Sequence, residues 1–246
     1  MNISIVLLII AVILLFIIKP PHFFTVYHYY EKERLGKDND GGYVIAKLKG
    51  DYDLYIGCGI SDDTSFDESF CSKFTHVNGF AFDGTIQNVP KLPENIKYVA
   101  KNIGSENTEK TTDLVSYMDG KNDIFMKMDI EGGEWEWLNS VDDHTLSKVK
   151  QLIIEIHWLF DDKSSSVSDK KKALERLSKF FYLVHVHGNN HNHVHDGIPY
   201  VMECTYVRRS EIKTTIVNKT PFPIKIDQPC NPHIEDIQIT TKPFVD

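Results

Sequence analysis

Three carboxylates, a histidine and a pair of glycines carry the chemistry this sequence can support, and each follows a run of apolar residues. Leu54-Tyr55-Ile56 runs into Gly57-Cys58-Gly59, and Gly79-Phe80-Ala81-Phe82 into Asp83. Asp123–Met128 runs into Asp129-Ile130-Glu131-Gly132-Gly133, and Gln151–Ile156 into His157. Gly57 and Gly59 allow a tight turn whose backbone can approach a ligand that a Cβ would obstruct. Asp83 can accept hydrogen bonds from both hydroxyls of a ribose, as acids at that place do in nucleotide-binding α/β folds. Asp129 and Glu131 lie outside the carboxyl end of a strand, where open α/β sheets put their chemistry. A histidine with a pKa near neutrality suits proton removal from a hydroxyl, which makes His157 a candidate general base. Each residue also has a plainer reading. The glycines can form an ordinary strand-to-helix turn, Asp83 can cap the next turn, Glu131 can favour a helix start, and His157 can be a hydrogen-bonded core residue.

The elements that must position these residues alternate. Strands are expected at Leu54–Ile56, Gly79–Asp83, Asn95–Ala100, Asp123–Met128 and Gln151–Ile156, with crossover helices at Ser61–Phe74, Glu109–Met118, Glu131–Val141 and Ser166–Phe180. Such alternation implies a largely parallel sheet with right-handed crossovers. Phe181–His187 and Tyr200–Val207 then read as two strands with no helix between them, hence as antiparallel neighbours. Dinucleotide-type hydride transfer would want a third glycine at the start of the first helix, where Asp62-Asp63 stands instead.

Seven stretches, in this order, resemble the FkbM-type methyltransferases. They are Gly36–Val44, Leu54–Phe66, Ala81–Thr85, Met126–Leu138, Ile153–Trp158, His187–Asn190 and Glu203–Arg209, and the Asp129–Trp135 stretch is the most specific. The resemblance implies a class I methyltransferase (Rossmann-like) α/β fold with a seven-stranded, mostly parallel sheet ending in an antiparallel hairpin. It also implies S-adenosylmethionine as cofactor. Gly57, Cys58 and Gly59 would cradle the methionine part, Asp83 the ribose, and Asn102-Ile103-Gly104 the adenine edge, with Asp129 beside the cofactor. His157, Asp129 and Glu131 would be the catalytic group, and His187, Asn189 and Asn190 would shape the acceptor pocket. One position departs from the pattern: Tyr55 stands where an acid usually precedes the glycines, and Asp53 lies two residues earlier on the same strand face.

The chain has 246 residues and a net charge of −8, without a long basic run, so a nucleic-acid partner is not expected. Cys58, Cys71, Cys204 and Cys230 lack paired spacing, which suggests neither a disulfide framework nor a zinc site. The tract His185, His187, His191, His193 and His195 matches no recognised ligand set, and no metal is expected. Ile3–Ile18 is apolar but for Ser4 and spans about 24 Å as a helix, slightly less than a ~30 Å hydrocarbon core. Residues 1–22 are therefore expected to be a single-pass membrane anchor. The α/β domain would cover 23–246, with its core at about 33–210 and an extension at 211–246. Lys19, Lys32 and Arg34 favour a cytosolic domain, while the sequon Asn218-Lys219-Thr220 favours a lumenal one. Two functions from different classes follow. One is a membrane-anchored methyltransferase acting on oxygen of a small or glycan-like acceptor. The other is a binding or scaffold protein that kept the fold and lost the chemistry, a reading motivated by Tyr55.

Overall fold

A computed structural model describes residues 22–246. The chain enters through an antiparallel hairpin of β1 (Lys32–Leu35) and β2 (Tyr43–Ala46). Then come β3 (Leu54–Cys58), α1 (Ser65–Lys73), β4 (Gly79–Phe82), β5 (Ile96–Val99) and the two-residue strands β6 (Asn102–Ile103) and β7 (Thr111–Thr112). Next are β8 (Ile124–Met128), α2 (Glu134–Ser140), α3 (Asp143–Ser147), β9 (Val149–Ile156) and α4 (Val167–Phe180). The last strands are β10 (Phe181–Gly188), the short β11 (Val194–His195) and β12 (Ile198–Pro199), and β13 (Met202–Arg208).

Seven of these strands form one sheet in the order β10-β13-β9-β8-β3-β4-β5. β9, β8, β3, β4 and β5 pair in parallel, and β13 lies antiparallel to both β9 and β10. This is the sheet that the resemblance implies. Side chains alternate across it. Leu54, Ile56, Met126, Met128, Ile154 and Ile156 pack on one face with Trp135, Trp137, Leu174 and Leu177. Tyr55, Phe125 and Ile153 pack on the other with Phe66 and Phe70 of α1 and Tyr43 and Ile45 of β2. Trp135 and Trp137 are both fully buried, and their ring N–H groups donate to the carbonyls of His157 and Asp113.

Three expectations are corrected. No helix forms at Glu109–Met118; β7 and one 3-10 turn at Val115–Tyr117 occupy the segment. Asn107 Oδ1 accepts from Thr112 Oγ1 and the Asp113 N–H, and Thr108 Oγ1 accepts from the N–H groups of Lys110 and Thr111. Such local bonds compete with helical ones. The helix after β8 starts at Glu134 rather than Glu131, because Glu131 and Gly132 have φ of 51° and 92° and cannot continue a right-handed helix. The β1–β2 hairpin was not expected as strands. It is held to the sheet by Gln151, which bonds both backbone groups of Ala46, and by Thr205 Oγ1, which donates to Val44 O.

The extension after β13 returns across the domain. Phe222, Ile239, Phe244 and Val245 join the core, and Phe244 stacks on Phe24. Asn218 of the sequon is 3% exposed and its amide donates to Thr220 O, so the folded chain does not offer it to a glycan. The four cysteines are free and buried. The expected span Ile3–Ile18 lies outside the described residues, among which no helix is long and apolar enough to cross a membrane.

Candidate active site

Two clefts open at the carboxyl ends of the parallel strands. The first, of about 480 Å³, is lined by Gly59, Ser61, Phe82, Asp83, Thr85, Lys101, Asn102, Ile103, Asp129, Ile130, Glu131 and Gly133. The second, of about 440 Å³, is polar and includes Lys37, Tyr43, Asp67, Lys127, Glu155, His157, Trp158, Asn189, His191 and Asn192. Gly59, Ser61, Asp129 and Glu131 line both, so they form the wall through which the clefts adjoin.

The glycine turn is tight for a different reason from the one its sequence suggests. Gly59 has φ of 75°, and a Cβ there would overlap the carbonyl oxygen of Asp129. At Gly57 a Cβ would meet Asp67 Oδ1 and the Tyr55 hydroxyl at 2.9 and 3.0 Å. Both glycines therefore admit protein rather than ligand. Of the three residues expected to cradle a cofactor, only Gly59 lines a cleft, and Cys58 is buried in the core.

Asp83 closes β4 and serves the protein and the cleft together. Its Oδ1 accepts from the N–H and hydroxyl of Thr85, and its Oδ2 from the Ser61 N–H at 3.0 Å. These bonds outweigh burial and hold its carboxyl below the usual range. The Ile86 N–H adds to these donors, and Asp83 lines the cleft beside Ser61 and Thr85. Asn102 and Ile103 line the same cleft, and Gly104 is not among its lining residues. A cleft with an acid, a side-chain amide and apolar walls from Phe82, Ile103 and Ile130 suits an adenosine-bearing molecule.

A row of ionisable groups crosses the second face of the sheet. Glu203 pairs with Glu155 across β13 and β9, and with His187 across β13 and β10; Asp129 lies one residue beyond Met128, which pairs with Ile154. Asp129 Oδ2 accepts from the Tyr43 hydroxyl at 2.7 Å and sits 3.4 Å from Lys127 Nζ. The Lys127 ammonium lies over the Tyr43 ring and also donates to Gly59 O. Burial disfavours the Asp129 charge, but Lys127, Tyr43 and His157 outweigh it and keep the carboxyl low. Glu155 is pushed well above the carboxylate range by burial and by the charge of Asp129. Its Oε1 accepts from Asn189 Nδ2 at 2.8 Å.

His157 is buried, and the carboxyl group of Glu134 holds it. Glu134 Oε1 accepts from the His157 N–H at 2.9 Å and from Nδ1 at 3.2 Å, and its Oε2 accepts from the Gly132 N–H. Burial opposes the imidazolium, yet the bond to Glu134 and the charges of Glu155, Glu134 and Asp129 prevail. They push His157 up to about 9. The expected near-neutral range is therefore exceeded at this ring. Glu131 projects to solvent, and its Oε2 reaches 3.6 Å from His157 Nε2.

Of the expected acceptor residues, Asn189 faces the second cleft. His187 does not: its ring bonds Glu203 and Asp236. Asn190 is turned to the extension, where it bonds the backbone of Asn231 and Ile234. His185 pairs with Asp227 at 2.8 Å, His193 stacks on Tyr200, and His195 packs at a tilt against Phe160, so the histidine tract does not converge on one point. The acid missing at Tyr55 is met by Asp67 of α1, whose Oδ1 accepts from the Tyr55 hydroxyl at 2.9 Å. Burial raises Asp67 to about 6 against the pull of Lys127 and Tyr55. Asp53 is spent at the other end of the sheet on the N–H groups of Asn122 and Asp123. Lys127, Glu155, Glu134 and Asp67 were not singled out as site residues. The legible signal was Lys127 two before Asp129 and Glu155 two before His157, polar positions sharing one face of apolar strands.

A family model for the methyltransferase FkbM domain matches residues 31–207. Among solved structures, the chain is similar to one from a fibrillarin/Nop5p complex at 11% identity, over 65% of this chain and 74% of that one, with a TM-score of 0.39. It is also similar to precorrin-6y C5,15-methyltransferase from Geobacter metallireducens GS-15, at 12% identity over 66% and 82% of the two chains, with a TM-score of 0.33. The comparison with curated proteins finds no match.

Proposed function

Because the chain belongs to the methyltransferase FkbM domain family, we propose that it is an S-adenosylmethionine-dependent methyltransferase that acts on an oxygen of a polar, glycan-like or small acceptor. The observation that carries this reading is the pair of clefts adjoining at Gly59, Ser61, Asp129 and Glu131. One is suited to an adenosine-bearing molecule and the other to a hydroxyl-rich one. S-adenosylmethionine, when bound, supplies an electrophilic methyl group on a sulfonium. The protein's task is then alignment, which can remove about 7–11 kcal/mol of the barrier of such a displacement.

Asp83, Asn102 and Ile103 would hold the adenosine part, and Gly59 and Ser61 the part nearest the wall. Asp129 has one oxygen committed to Tyr43 and Lys127. Its Oδ1 is left to orient an acceptor hydroxyl and receive its hydrogen bond. Asn189, His191 and Asn192 on the far side of the cleft offer the mixed donors and acceptors that a polyol needs. His157, cationic in the resting site, would balance the carboxylates around that hydroxyl. Tyr55 does not argue against chemistry, since Asp67 brings a carboxyl group to the same turn. The apolar run Ile3–Ile18 supports a membrane anchor for this domain. Removing residues 1–19 should shift the protein from the membrane to the soluble fraction; retention of the truncated chain on membranes would refute the anchor.

Incubation with S-adenosylmethionine and pools of glycans or polar metabolites, followed by mass spectrometry, tests the activity. A product heavier by one methylene and labile to Asp129→Asn is expected. Turnover in no pool, by a protein shown to bind the cofactor, would favour the scaffold reading.

A further inference from the structure

Three ligand-type atoms from two neighbouring strands converge on one point of the second cleft. His157 Nε2 lies 3.8 Å from Asp129 Oδ1 and 3.7 Å from Glu155 Oε2, and all three atoms fall within 4.8 Å of one another. These separations are too long for hydrogen bonds. They are close to those of ligands sharing an ion. With bonds of about 2.1 Å, ligand atoms of a tetrahedral or octahedral site lie roughly 3.0–3.5 Å apart.

Two further observations point the same way. The His157 side chain is 4% exposed, and among the described residues Nε2 has no hydrogen-bond acceptor within reach. The Glu155 side chain is 8% exposed; its Oε1 accepts from Asn189, and its carboxyl group shares a hydrogen bond with that of Asp129. His157, whose Nε2 is unpartnered, lines the cleft together with Asp129 and Glu155. The outer partners are those of a ligating set: Glu134 accepts from His157 Nδ1 and so directs Nε2 inward, Asn189 orients Glu155, and Tyr43 with Lys127 orient Asp129. Metal-binding histidines are ordinarily fixed in this way through their other ring nitrogen.

We propose that Asp129, Glu155 and His157 form a site for one divalent cation. Two carboxylate oxygens and one imidazole suit manganese, iron(II) or zinc better than calcium. The ion displaces the Nε2 proton and the proton that Glu155 shares with Asp129 to solvent, takes the place of an acceptor hydroxyl at Asp129 Oδ1, and leaves its remaining coordination positions toward the cleft, where water or that hydroxyl completes the shell. Glu131, at 3.6 Å from Nε2 and exposed, stands at the entrance. The spacing of histidines and cysteines in the sequence led to the expectation of no metal; the ligands come instead from the ends of two strands that only folding brings together.

Manganese binding to the full chain, followed by the electron paramagnetic resonance of the free ion, tests the site. One ion per chain is expected. Glu155→Gln and His157→Gln should each weaken it at least tenfold, and Glu134→Gln roughly 10–100-fold, whereas Glu136→Gln on the exposed side of α2 should not. On the unsubstituted protein, substoichiometric manganese should broaden the imidazole resonances of His157 before those of His144 or His233. Absence of stoichiometric binding at millimolar manganese, unchanged affinity in Glu155→Gln and His157→Gln, or equal broadening of all three histidines would overturn the proposal. S-adenosylhomocysteine binding by the same samples reports on the other cleft. Manganese bound without it would support the cation site while counting against the methyl-transfer reading, and the reverse would overturn the cation site alone.

Discussion

Replacing Glu134 by alanine should destabilise the protein more than any other change to an acid around the second cleft. The side chain is fully buried and accepts from the Gly132 N–H, the His157 N–H and His157 Nδ1. Alanine leaves three buried donors without an acceptor, at about 1–3 kcal/mol each. Such losses are not additive, and breaking a buried ion pair from one side costs about 3–5 kcal/mol. With a urea dependence of about 3 kcal/mol/M for a domain of this size, the midpoint should fall by about 1–1.7 M. Glu134→Gln retains one oxygen and should lose less. Glu136→Gln, whose exposed Oε1 accepts only from Ser105, should change stability by about 0.5 kcal/mol or less. Urea denaturation of the three variants beside the parent measures this directly. A cost below about 1 kcal/mol for Glu134→Ala would show that Glu134 does not hold His157, and the account of the second cleft would lose its support.

The buried pairs that hold the extension predict a pH dependence of opposite sign at the two ends of the scale. His187 is opposed by burial but pushed up to about 12 by Asp236, Cys230 and Glu203. Its stabilisation is therefore complete below about 6.5 and declines as pH rises toward 12. Asp227 is disfavoured by burial yet held low by His185, so its contribution is present above about 3.8 and is lost as pH falls below that. Calorimetry from pH 4 to 10 should show the alkaline decline, and His187→Gln should flatten it; an unchanged slope would count against the pairing. Gly59→Ala should cost more than about 2 kcal/mol, since its φ of 75° alone disfavours a side chain by about 1–2 kcal/mol and the new Cβ meets the Asp129 carbonyl. The melting temperature should fall by about 4 °C or more, and an unchanged value would contradict the packing described for that turn.

The sheet was legible because its strands are apolar runs ending in glycine, aspartate or histidine, and because no helix fits between the last two. Lining residues of the candidate site were legible where one strand end supplies them, as at Gly59, Asp83, Asp129 and His157. It was not where a partner comes from a distant segment. His187 and Asn190 read as pocket residues because the extension that occupies them, through Asp236 and Asn231, has no pattern announcing where it returns. Glu131 stands nearer the strand in sequence, but the left-handed backbone at Glu131 and Gly132 leaves it exposed and buries Glu134 instead. The helix expected at Glu109–Met118 failed for a local reason, the side chains of Asn107 and Thr108 having taken the backbone bonds.

Isothermal titration with S-adenosylhomocysteine tests the central claim, that the cleft between Gly59, Asp83 and Ile103 holds the cofactor. The account predicts one site per chain. Asp83→Asn keeps the size of the side chain and removes its charge, and should weaken binding about 10–100-fold, as befits loss of a hydrogen bond to a charged group. Absence of heat up to millimolar ligand with a folded protein, or equal affinity in Asp83→Asn and the parent, would contradict it.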